Sequence, residues 1–501
     1  MSYKSFIISG VLLVSALNAC ATGYVKTGNA VDVAVAHPTA FSPHWVRLQV
    51  MSDKIIRVEA TSESAFPLKN SLIIVPEAFQ QHVTFKVDEN NDEVVISTAK
   101  VQAKVNKATG RVVFYDAFGR QLLAEDEQQG KTLKPYTVPE REIGVDSRLL
   151  PEQKRGYSWR LLFDNQPDEA FSGLGQHQAG EMNMKGKNED LFQYNTKVSV
   201  PFVVSNRGYG ILWDSYSYCR FGNPNDYLQL NHAFTLYDKD GHRGHLTGTY
   251  RAADGTTIVR DEDSIYYEFA LPDIAARGLT DIGIGNLPKN FKMKGAHVTY
   301  EGYVEAPVDN RYRFNLYYAG YTKVYVDGKL VVPEHWRQAW NPNACKFTVD
   351  LKKGKRTKLC IDWYPDGDVS YCGLRVATPR SEEEQGRLSI WSEMSRDLDY
   401  YFIAGDNLDE VISGYRTLTG KAQIIPKWAF GFWQSRERYK TSADIENTLA
   451  EFRKRHIPVD NIVQDWNYWA DDQWGSHQFD ASRYPKPQAM LDSVHAMHGR
   501  Y

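Results

Sequence analysis

Asp465 heads the residues of this chain that could do chemistry. It ends the run Val459, Asp460, Asn461, Ile462, Val463, Gln464, Asp465, Trp466, in which a short apolar stretch closes on a carboxylate followed by a large flat ring. A carboxylate at the exit of a buried strand can accept hydrogen bonds from a ligand's hydroxyl groups, and an indole beside it offers an apolar face. Trp433 and Arg438 stand in a similar relation to the upstream run WAFGFWQSRERY, residues 428–439. Trp433 either walls a pocket or fills a core, and Arg438 occupies the exit of its strand. Three further carboxylates read differently. Glu437 and the adjacent Asp471 and Asp472 lie in polar loop sequence, where such residues usually make solvated turns. No pair of carboxylates here has a scaffold that fixes its separation. His177 has no partner visible in the sequence and reads as structural.

The elements that must position these residues are legible around them. Thr441 and Asp444 form a capping-box-like start, with Asp444 in the positive first turn of a helix. Ile445, Leu449 and Phe452 then recur on one face, leaving Glu451, Arg453 and Lys454 toward water, and Pro458 stops the helix. Pro485 or Pro487 opens a second helix whose inner face carries Met490, Val494 and Met497. Strand, helix, strand, helix is the signature of a parallel sheet. A closed eight-stranded barrel needs about 200 to 250 residues, so the expectation is a barrel that stops after its first units, near where a third strand should begin.

Upstream the pattern changes to short alternating strands. Val101, Ala103 and Val105 alternate with Gln102 and Lys104, and polar clusters at 88–92, 106–110 and 116–119 mark reversals of a large β-sandwich. Residues 205–214 read as a tight hairpin. A second β-rich unit follows, with strands expected at 311–318 and 323–329 and an Asp327-Gly328 turn at the tip. Another strand at 397–405 and a helix at 407–418 then return the chain to the first sandwich.

The chain has 501 residues, 42% hydrophobic and 24% charged, with net charge −3, which gives no basis for nucleic-acid binding. Its 30 Tyr and 12 Trp suit both sandwich cores and sugar-binding surfaces. Lys4 and the apolar segment 6–16 read as a targeting signal. Leu17-Asn18-Ala19-Cys20 resembles a bacterial lipobox, which makes Cys20 the expected lipid anchor and places the protein in the outer membrane or periplasm. Cys219, Cys345, Cys360 and Cys372 permit disulfides whose pairing is open. No cysteine or histidine spacing suggests a metal site, and no cofactor is expected.

Four separated motifs, FSGLGQ (171–176), NTKVSVPFVVSNRGYGILWD (195–214), YFIAGDNLDEVISGYRTLTGKAQIIPKWAFGFW (401–433) and WGSHQFDASRYPKPQAML (474–491), resemble glycoside hydrolase family 31. YEGYVEAPVDNRYRF (300–314) and VYVDGKLVV (324–332) resemble the PA14 module, a β-sandwich that often binds glycans. The resemblance implies a signal peptide at 1–20 and a galactose-mutarotase-like β-sandwich at 21–225. It implies a PA14 insertion at 226–382, the return of the first sandwich at 383–420, and the start of a (β/α)8 barrel at 421–501. This layout is similar to that of bacterial α-xylosidases acting on xyloglucan fragments, with α-glucosidase or transglucosidase activity as alternatives within the family. A non-catalytic, glycan-binding surface lipoprotein is the reading of a different kind. In the family both catalytic aspartates lie on later barrel strands, so neither is expected within these residues. The resemblance makes Asp465 a binder of sugar hydroxyls, gives Trp466 and Trp433 the pocket wall, and brings Arg438 and Asn195 to the substrate.

Overall fold

The computed structural model describes residues 23–501 apart from 69, 129, 138–154, 178–180, 194–196, 223–226, 271–286, 339–342, 368–369 and 380–385. Cys20 and Asn195 therefore lie outside the described residues. The chain divides into two compact units, residues 1–420 and 421–501.

The first unit holds two sandwiches. In the larger one an eight-stranded sheet runs in the order Tyr24–Thr27, Ala30–Ala34, Trp45–Val50, Ile55–Thr61, Leu398–Ala404, Tyr209–Trp213, Val198–Ser205, Phe171–Gln176. It packs on a ten-stranded sheet through a shared apolar core that includes Val46, Leu48, Phe114, Trp159 and Phe402. The alternation read at Val101–Asn106 holds, with Val101, Ala103 and Val105 buried.

Two strands that follow the 228–377 segment sit in the middle of these sheets. Leu398–Ala404 lies between Ile55–Thr61 and Tyr209–Trp213, and Arg387–Ser395 lies between Arg155–Asp164 and Cys219–Gly222. Every residue of Leu398–Ala404 is buried. One face meets the sandwich core and the other meets a cluster covered by the helix Leu408–Thr419, which Asn407 caps by accepting from the Glu410 amide at 3.0 Å. Burying Asp399 on such a strand is tolerated because Arg57, on the paired strand, grips both its oxygens at 3.0 and 2.8 Å.

The strands from Leu228 to Ala377 form the smaller sandwich, a five-stranded and a seven-stranded sheet around their own core, with Tyr250, Tyr300, Leu316, Ile361 and Trp363 among its members. The expected pairing across the Asp327-Gly328 turn needs correcting here. Asn310–Tyr318 belongs to the five-stranded sheet, whereas Gly320–Val326 belongs to the seven-stranded one and pairs with Lys329–Arg337. Asp327 and Gly328, at φ 47° and 77°, supply the two left-handed residues that a tight hairpin requires. The chain changes sheet at Ala319, which is why the two adjacent strands never meet.

The smaller sandwich docks on the larger through partly buried ion pairs. Lys346 reaches Glu189 at 3.0 Å, and Arg313 pairs with Glu181. Glu189 also meets Lys197 at 3.4 Å and His177 at 3.1 Å, so His177 lies against a carboxylate that the sequence concealed. Burial opposes ionisation of Glu189, but His177 and the two lysines overcome it and hold the carboxyl down at about 2. All four described cysteines are free thiols.

In the second unit, Trp433–Arg436 and Asn461–Gln464 form a two-stranded parallel sheet with Trp433 opposite Asn461. The helices Ser442–Lys454 and Pro487–Ala496 cover it, burying Ile445, Leu449, Met490 and Val494. Thr441 and Asp444 form the full capping box. Arg453 does not face water. It is half-buried and donates to the carbonyls of Met497 at 2.7 Å, Val459 at 2.8 Å and His498 at 3.2 Å, tying both helices to the entry of the second strand.

Candidate functional site

Parallel strands deliver their C-terminal ends to the same side, and here those ends are Arg436 and Gln464. The residues just beyond them, Glu437 and Arg438 on one strand and Asp465 and Trp466 on the other, therefore emerge together. Asp465 is exposed, and its Oδ1 accepts from the Trp466 amide at 2.8 Å. The Arg438 guanidinium lies over the Trp466 ring, 4.7 Å from its centroid. Both strand exits also contain a left-handed non-glycine residue, Arg438 at φ 80° and Asn467 at φ 60°. Such conformations persist only where neighbours over-determine them.

Arg483 is the main such neighbour for the second loop. Its guanidinium donates to the Asn467 carbonyl at 2.8 Å, the Trp469 carbonyl at 2.5 Å and the Asn467 side chain at 3.3 Å, while its Nε holds Asp480 at 2.8 Å. The hydrogen bond from Arg483, reinforced by Ser482, lowers the Asp480 carboxyl to about 2. Around this clamp Trp466, Trp469 and Trp474 touch ring to ring, with centroids 5.4 and 5.3 Å apart, and Tyr468 continues the series to Phe479. Nothing in the sequence advertised Arg483. The nearest signal is an arginine three residues after an aspartate, the spacing of a local ion pair.

The remaining sequence candidates fall as follows. Trp433 is 50% exposed, touches Trp428 and donates through Nε1 to the Ala429 carbonyl at 3.0 Å, so within its unit it lies on the surface. Glu437, Asp471 and Asp472 are exposed. Among the described residues, Glu59, Asp397 and Asp399 come close enough to share an ion, but Arg57 already lies against both Glu59, at 2.9 Å, and Asp399. Its positive charge occupies the place a cation would neutralise.

Comparison with known proteins decides the family. Residues 46–221 match the glycosyl hydrolase 31 N-terminal galactose mutarotase-like domain, and residues 422–501 match the glycosyl hydrolases family 31 TIM-barrel domain. The chain belongs to glycosyl hydrolase family 31. A family 31 α-xylosidase from Xanthomonas citri, known as a crystal structure, is 39% identical with a TM-score of 0.80, covering 95% of this chain and 48% of that one. An α-xylosidase of Saccharolobus solfataricus is 47% identical over 113 residues, 23% of this chain and 16% of that protein. An uncharacterized family 31 glucosidase of Pseudescherichia vulneris is 29% identical over 466 residues, 91% of this chain and 56% of that protein. The chain thus spans about half the length of the family 31 relatives that it matches along most of its own sequence.

Proposed function

We propose that these domains belong to a retaining glycoside hydrolase acting on α-linked sugars, an α-xylosidase that trims xyloglucan-type oligosaccharides. The observation that carries this reading is Asp465, an exposed carboxylate at the exit of the second barrel strand, beside the stacked pair Arg438 and Trp466. The C-terminal rim is where barrel enzymes build their sites. There Asp465 accepts hydrogen bonds from hydroxyls of the sugar being cleaved, and Trp466 packs against its apolar face. Trp433, Arg438 and Asn195 also bind the sugar in this reading. A retaining enzyme needs two carboxylates about 5 Å apart, one attacking the anomeric carbon and the other protonating the leaving oxygen. Neither Asp471 nor Asp472 is held in such a pair, and in this reading later barrel strands supply both. The likeness to α-xylosidases from Xanthomonas citri and Saccharolobus solfataricus supports xylose over glucose as the sugar released. The segment 226–382 acts as a PA14-like insertion, and Cys20 anchors the exported protein to the membrane through lipid.

The test compares purified residues 21–501 with the protein extended through a complete barrel, on aryl α-xyloside and aryl α-glucoside. The extended enzyme is expected to cleave the xyloside preferentially, and Asp465→Asn is expected to lower kcat/KM by about 100-fold or more. Turnover by residues 21–501 would refute the placement of the acid pair. Preference for the glucoside would favour the α-glucosidase or transglucosidase alternative.

A further inference from the structure

The seven-stranded sheet of the smaller sandwich carries a row of rings on the face turned away from its core. Tyr321 is the register partner of Tyr364 on one side and of Trp336 on the other. Tyr364 in turn stacks on His297, with centroids 4.1 Å apart and planes within 3°. Trp336, Tyr321, Tyr364 and His297 therefore occupy one line across four adjacent strands, Lys329–Arg337, Gly320–Val326, Arg356–Tyr364 and His297–Glu305. At the usual strand spacing of about 4.8 Å this row is about 14 Å long. The residues alternating with them, Val298, Val324 and Trp363, point into the core, so the row belongs wholly to the outer face.

These rings are unusually open. Trp336, Tyr321 and Tyr364 are 43%, 42% and 41% exposed, although cross-strand aromatic partners commonly cover each other. Trp336 and Tyr321 are tilted by 41° with centroids 6.3 Å apart, which leaves ring faces uncovered. The polar edge of the indole is already used, since Trp336 Nε1 donates to Asp366 at 2.7 Å, and this bond fixes the ring plane. Two residues further along the same face lies a polar row, in which Thr299 and Lys323 are register partners of Asp362. Lys323 pairs with Glu334 at 2.8 Å, and His297 bonds Asp362. Lys323 and Glu334 offset each other, and Asp362 and Asp366 add two further carboxylates, so the patch offers rings and hydrogen-bonding groups on a surface that leans acidic. Among the described residues no cluster of metal-ligating side chains occurs in this sandwich.

We infer that the strip formed by Trp336, Tyr321, Tyr364 and His297 is a metal-independent binding site for an extended, uncharged β-linked glucan chain. A linear row of rings bordered by hydroxyl-bonding groups matches a chain whose successive sugars present flat apolar faces along a line. A coiled α-glucan would lift off the row, and an anionic glycan would be repelled by the excess of carboxylates, Glu334, Asp362 and Asp366, over Lys323.

Isothermal titration of the purified chain with cellohexaose, with maltohexaose as the coiled control and EDTA present throughout, tests this. Cellohexaose is expected to bind and maltohexaose not to. The double variant Tyr321→Ala/Trp336→Ala should weaken binding about tenfold or more with an unchanged Tm, since the rings are exposed and their loss leaves the core intact. Asp465→Ala should leave the binding intact, which separates this site from the barrel pocket. The inference is overturned if the wild-type chain shows no cellohexaose binding, if the double variant binds equally well, or if Asp465→Ala alone abolishes binding. It is also overturned if the wild-type chain is a dimer that the double variant dissociates, because the rings would then serve a second copy.

Discussion

Replacing Arg483 by Met keeps an unbranched apolar stem and removes every donor that Arg483 aims at the loop after the second barrel strand. Two short bonds to backbone carbonyls, Asn467 at 2.8 Å and Trp469 at 2.5 Å, disappear together with the contact to the Asn467 side chain. Hydrogen bonds from a charged donor contribute about 1.5 to 3 kcal/mol each when well shielded, and the side chain here is about one quarter exposed, so the lower end applies. The two carbonyl bonds then sum to about 3 kcal/mol, or about 150-fold in a local opening equilibrium. The loss should be local, because the helices on either side keep their buried faces and the Thr441 capping box. Amide hydrogen exchange followed by mass spectrometry reads this directly. Peptides spanning 465–475 should exchange faster by about two orders of magnitude, while those from 442–454 and 487–496 stay protected. Exchange unchanged within twofold across the loop would refute the clamp. An equal rise over the whole unit would show that Arg483 supports general stability and does not order the loop that carries Asp465.

Two further outcomes follow from buried groups in the larger sandwich. Glu59 is pushed up from 4.5 to about 7 by burial and by the neighbouring Asp399. The folded state therefore keeps a proton that the unfolded chain releases above about 4.5, and this contribution is lost as pH rises from 4.5 toward 7. Glu59→Gln cannot release the proton, so the Tm of the wild-type protein minus that of the variant should be larger at pH 5 than at pH 8; equal differences would mean that Glu59 carries no such proton. At Gly222 the backbone has φ 123°, and a Cβ would lie 1.5 Å from the Lys187 carbonyl oxygen. Gly222→Ala should break the pairing of Asn188–Leu191 with Cys219–Gly222 and displace Glu189 from Lys346, costing about 3 kcal/mol or more. Thermal melting of the purified variant checks this, and an unchanged Tm would show that the strand edge tolerates a side chain.

Local chemistry made some of this protein legible from its residues alone. The helix at Ser442–Lys454 was readable because Thr441 and Asp444 satisfy amides within one turn, and Ile445 and Leu449 share a face whatever lies elsewhere. The strand at Val101–Asn106 was readable for the same reason, since alternation is a property of neighbours along the chain. Asp465 could be placed at a strand exit because a β-run ends where its apolar residues do, although the strand itself is shorter than the run suggested.

Pairing over long distances was settled only by the tertiary structure. Leu398–Ala404 sits between strands more than 180 residues upstream, and no local preference names those partners. Arg453 looked like a solvent-facing helix residue, but three backbone carbonyls brought by other segments take up its donors. His177 meets Glu189, and Arg483 meets Asn467 and Trp469, through folds of the chain that no periodicity encodes. The row from Trp336 to His297 exists only because four strands fall into one register. Propensity and capping depend on the next few residues, so the sequence determines them. Register and burial depend on which distant surfaces exclude water together, and that is decided only when the whole unit packs.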